Sequence, residues 1–260
     1  MDPGSSSASP EHVPEHVPER VPGADPTPSG GEADVRAPRW GIGDFLWIYF
    51  AGIIASIVGA SIGFAVTGDT SGHIGALTTA LSTFAQFGTW FGGVVYVARS
   101  KGRSVRADFG LTLRTRDWWA PFAGLGLFLV ASAMIEPLIR IVNQHQAVVD
   151  DLDRATGGKL AVFAIVASVV APVCEELLFR GLLLRALRRR MSPAAAVIVQ
   201  ALVFALAHPM LSPTWGDFAV VPALFLLGAV SGIAATRKGD LSASIMMHIG
   251  FNLVTTLLAL

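Results

Sequence analysis

The sequence predicts an all-α protein, a polytopic transmembrane helical bundle of about seven spans behind a disordered N-terminal tail. Three observations predict it. Hydrophobic residues make up 52% of the chain and charged residues 15%, with a mean hydropathy of +0.57, whereas soluble domains carry roughly 25% charged residues. Long apolar runs follow one another from Gly41 to the C-terminus. The connections between those runs alternate between basic and neutral or acidic.

Residues 1–40 stand apart from the rest. Gly, Pro and Ser dominate, and residues 11–22 repeat as EHVP-EHVP-ERVP. Such a segment has too little apolar surface to offset the entropy of ordering, so it is expected to be a disordered tail. It lacks the basic start, apolar stretch and small-residue cleavage site of a secretory signal. His12 and His16 fall in the repeat, and two such histidines make a weak case for a metal site. Cys174 is the single cysteine, which rules out an intramolecular disulfide and a cysteine-rich metal site. The formal net charge of zero offers no broad basic surface and argues against nucleic acid as a partner.

From Gly41 the apolar runs cover about 42–67, 74–98, 118–142, 160–184, 193–208, 218–236 and 241–260. Crossing the hydrocarbon takes roughly 20 helical residues; the run at 193–208 is short. In lipid the backbone must satisfy its own hydrogen bonds, which selects a helical bundle over an open sheet. Residues 41–159 read as N-terminal transmembrane helices and 160–260 as a second set that carries the chemistry. Gly228 and Gly232 form a small-xxx-small pattern suited to close helix approach.

The loop charges set the expected orientation. Arg99, Lys101, Arg103, Arg106, Arg114 and Arg116 follow the second run, Arg185, Arg188, Arg189 and Arg190 the fourth, and Arg237 and Lys238 the sixth. The intervening loops at 68–73 and 209–217 have no Lys or Arg, and 143–159 is mixed. Seven spans with a cytoplasmic N-terminus satisfy the positive-inside rule at every loop; an eighth span or a re-entrant piece is the alternative. The expected location is an integral position in the plasma membrane, with membrane lipids as partners.

Several polar residues interrupt the runs. Glu175, Glu176 and Arg180 lie within the fourth, where three uncompensated charges would cost roughly 7–10 kcal/mol on insertion scales. Glu176 and Arg180 are four apart and can pair on one helix face. Glu175 points about 100° away and is expected to face another partner. His208 ends the fifth run, and His248 lies four residues before Asn252 in the seventh. That spacing puts an imidazole and a carboxamide one turn apart, where they can bind a ligand, orient a water or donate to an oxyanion. A glutamate in such a cavity can serve as general base toward water. Bland readings compete: Glu176–Arg180 as structural glue, His208 as an interfacial group, His248–Asn252 as interhelical bonding. Glu136 and Arg140, also four apart, are expected to form an interfacial ion pair. Buried carboxylates and histidines would also serve a proton-coupled transporter, and a non-catalytic membrane scaffold or regulator is a third reading.

The segments EE-LLF-R, F-ALA-H and H-IGF-N resemble, in order, the EExxxR, FxxxH and HxxxN motifs of the CAAX protease and bacteriocin-processing (CPBP, or Abi) intramembrane proteases. The resemblance covers about residues 160–260. It implies a peptide or protein substrate with a processed tail. It implies Glu175 as the water-activating base, Glu176 and Arg180 as its support, and His208, His248 and Asn252 as cavity residues that stabilise the tetrahedral intermediate. The family has been described both as zinc-dependent and as metal-free. Glu175, His208 and His248 could hold Zn²⁺ with a water in the fourth position, which would leave Glu176 as the base; a metal-free glutamate mechanism is the preferred of the two. One expectation sits awkwardly. Counted from their cytoplasmic ends, His248 lies about 10 Å deep and His208 about 22 Å, although one site needs them together.

Overall fold

The computed structural model describes residues 38–68, 75–142, 157–208 and 215–258. The tail with its repeat, His12 and His16, and the connections at 69–74, 143–156 and 209–214, lie outside the described residues. Every element among the described residues is helical. In chain order they are α1 (Ile42–Thr67), α2 (Ala76–Lys101), the short α3 (Val105–Phe109), a 3₁₀ turn at Thr115–Asp117 and α4 (Ala120–Val142). There follow α5 (158–188), α6 (Pro193–Ala207), the short α7 (Trp215–Ala219), α8 (Val221–Lys238) and α9 (Ser242–Leu258).

The apolar runs become these helices with small changes. The sixth run is broken into α7 and α8 at Val220, because Pro222 in the first turn of α8 has no N–H to continue the preceding helix. Within α5, Val166–Val170 and Glu176–Leu183 are π-helical; such widened turns are uncommon and cluster at functional sites.

Four helices are long and apolar enough to cross a membrane by length and composition: Ile42–Thr67, Thr115–Val142, Leu160–Arg188 and Val221–Lys238. α6 and α9 are shorter apolar helices, and α2, rich in Thr and Ser, is not among the four. The expectation of seven spans therefore depends on counting α2, α6 and α9 as well. α5 is the most enclosed of the four, with half of its apolar window buried, whereas α4 and α1 turn Phe122, Leu129, Ile54 and Val66 outward. Apolar faces of that extent suit lipid as the surrounding solvent.

Close backbone approach fixes the pairings. Gly124 of α4 lies against the Met247 carbonyl, and Gly250 of α9 against Pro121, so that a Cβ at either position would collide with backbone. A Cβ at Gly228 of α8 would come 2.9 Å from Ala201 of α6, as the small-residue pattern predicts. These contacts hold α9 on α4, and α6 on α8.

The charged connections gather at one end. Asp44 pairs with Lys101 at 2.6 Å, Arg114 with Asp240 at 2.9 Å, and Lys238 with Asp117. Arg189 donates to the Trp40 carbonyl and lies 4.1 Å over the Trp40 ring, and Arg185 donates to the Gly239 carbonyl at 2.7 Å. The start of α1, the ends of α2, α5 and α8, and the starts of α4 and α9 thus share this basic end. Glu136 and Arg140 form their expected ion pair at 2.7 Å, with both side chains more than half exposed.

Candidate active site

α5 delivers Glu175, Glu176 and Arg180 to the interior, and α9 delivers His248. Glu176 and Arg180 are fully buried and pair at 3.1 Å. The same Glu176 oxygen lies 3.0 Å from His248 Nδ1. Because a carboxylate oxygen accepts, this bond puts an imidazole proton on Nδ1, and in the neutral imidazole that tautomer carries its lone pair on Nε2. Nε2 in turn faces Glu175 Oε2 at 3.7 Å. Glu175 is 13% exposed, against none for Glu176. Glu176 is thus the enclosed carboxylate and Glu175 the one with access.

The sequence reading expected the two glutamates to meet different partners. Glu176 does pair with Arg180 and Glu175 does face another partner, His248, which also contacts Glu176 through its other nitrogen. Both glutamates keep ordinary α-helical dihedrals, and the π-helical stretch begins at Glu176.

His208 joins this group at one remove. It is exposed at the end of α6, its Nδ1 bonded to the Phe204 carbonyl at 2.8 Å. The buried Phe204 ring lies between the two histidines, with centroids 4.8 Å from His208 and 5.9 Å from His248. The Arg180 guanidinium sits 4.2 Å above the same ring, a cation–π contact that shares the burden of a buried charge. Asn252 donates its amide to the Ala167 carbonyl at 2.9 Å, and Ser168 bonds Thr256 at 3.0 Å. Both bonds tie α9 to the first π-helical segment of α5. Asn252 therefore anchors the helix one turn beyond His248.

Two site neighbours escaped the sequence reading of roles. Phe204 stands four residues before His208, and that spacing alone puts its ring under the imidazole. Tyr49, on α1, bonds the Ala207 carbonyl at 3.4 Å and lies within electrostatic range of Glu175; no local pattern marks it.

A zinc ion would need Glu175, His208 and His248 to converge. Among the described residues no three His, Cys, Asp or Glu side chains are placed to hold a metal ion, and the Phe204 ring stands between His208 and His248.

An all-helical bundle with apolar outer faces and a Glu–Arg–His cluster enclosed between its helices defines an integral membrane protein with an internal polar site. Residues 157–254, less than half of the chain, match the family model described as Rce1-like, type II CAAX prenyl endopeptidase Rce1-like. This bears out the resemblance to the CPBP family over that segment, whose printed description is that of a CAAX prenyl endopeptidase. No curated protein and no solved structure matches the chain.

Proposed function

We propose that the protein is an intramembrane endopeptidase that hydrolyses a peptide bond in a membrane-associated or lipidated peptide or protein, with Glu175 activating the water. The observation that carries this reading is the pair of proton acceptors, Glu175 Oε2 and His248 Nε2, facing each other across 3.7 Å. That separation is too long for a direct hydrogen bond. A water beside the pair can donate one hydrogen to each and keep an oxygen lone pair for a carbonyl carbon. Glu175 takes the proton as the water attacks and returns it to the leaving amine. His248, held in one tautomer by Glu176 and Arg180, orients that water. His208, when protonated, donates from Nε2 to the developing oxyanion. The mechanism draws on no metal.

The basic end of the bundle, which includes the start of α1, faces the cytoplasm in this reading, and the membrane is the plasma membrane. The test uses purified protein in detergent and an internally quenched peptide ending in a farnesylated Cys-a-a-X tail. The expected result is cleavage inside the tail, located by mass spectrometry and unaffected by dialysis against a chelator. An intact peptide counts against the peptidase; activity lost to the chelator and restored by Zn²⁺ counts against the metal-free route.

A further inference from the structure

The matched segment does not build its site alone. Tyr49 lies on α1, more than a hundred residues before residue 157, yet its side chain reaches the end of α6. The ring is held firmly. It stacks on Trp90 at 5.6 Å and on Phe45 at 5.8 Å, and meets Phe179 edge-on at 6.2 Å. The Trp90 indole donates to the Tyr49 carbonyl at 3.2 Å, which fixes the backbone as well. From this frame the phenol hydroxyl donates to the carbonyl of Ala207 at 3.4 Å.

Ala207 is the last residue of α6, where helix carbonyls have run out of intrahelical partners. His208 follows directly and is exposed. At 3.4 Å the hydroxyl bond is long, but it comes from a rigid ring, so it limits how far the helix end can drift. A helix end so placed carries the His208 imidazole with it.

We propose that Tyr49 is a positioning residue of the site, whose hydroxyl holds the end of α6 and thereby sets where His208 stands relative to Glu175 and His248. This rests on the peptidase reading above. It extends the site to a helix outside the matched segment.

Tyr49→Phe keeps the stacked ring and removes the hydroxyl. With full-length protein in detergent and the farnesylated quenched peptide as probe, kcat is expected to fall about 10- to 100-fold, the scale on which small misplacement acts. KM and the thermal midpoint stay near wild type. A merely structural Tyr49 would lower the midpoint and leave kcat per folded molecule unchanged, which overturns the proposal. A cycle with His208→Ala supplies the second readout. If Tyr49 acts through His208, the double variant is no slower than His208→Ala alone; independent, multiplying losses overturn the assignment. Glu175→Gln separates the two failures. If it keeps cleaving, the water-activation reading has failed; if it is inactive while Tyr49→Phe matches wild type, the Tyr49 assignment alone has failed.

Discussion

Replacing Arg180 with Met removes the cation that faces Glu176 in the interior of the bundle. Both side chains are fully buried, 3.1 Å apart, so bulk water cannot take over the lost partner. Breaking a buried pair from one side costs about 3–5 kcal/mol, because the remaining charge stays buried without compensation. The guanidinium also covers the Phe204 ring at 4.2 Å, a contact that contributes about 2 kcal/mol when desolvated. Against these losses, His248 Nδ1 still donates to Glu176 at 3.0 Å, which keeps the expected cost near the 3–5 kcal/mol figure and not the sum. The assay is thermal unfolding of the detergent-solubilised protein, with cleavage of the farnesylated peptide measured in parallel. The double variant Glu176→Gln, Arg180→Met removes both charges and is expected to recover most of the stability while leaving cleavage lost. A single variant as stable as wild type, or a double variant no more stable than the single, would refute the reasoning.

Gly250→Ala places a Cβ against the Pro121 backbone of α4 and is expected to destabilise by roughly 1–3 kcal/mol through overpacking; a lowered thermal midpoint checks this. Glu136→Gln acts on the exposed pair with Arg140, so its cost is expected to stay below ~1 kcal/mol, with cleavage at the wild-type rate.

The fold was legible where the driving force is local. The run at 42–67 became α1 with the same bounds, and 193–208 became α6, because apolar length and composition act residue by residue. The Glu176–Arg180 pair was legible from its spacing. The sixth run could have been divided at Pro222 by the same local logic. The π-helical turns were not legible, since they depend on what α5 packs against and leave no periodic mark. Tyr49 was invisible for another reason: its partner, Ala207, lies 158 positions away, and nothing local sets such a contact. His208 was named from the sequence, but its link to His248 through Phe204 emerged from packing.

The central claim is that Glu175 is the group that takes a proton from water. Glu175→Gln preserves the shape of the side chain and removes its basicity, while Glu176, Arg180 and His248 keep their mutual contacts. With the farnesylated quenched peptide, the account predicts a loss of kcat of about 10²–10⁴-fold with the thermal midpoint unchanged. Cleavage by Glu175→Gln at close to the wild-type rate would contradict it.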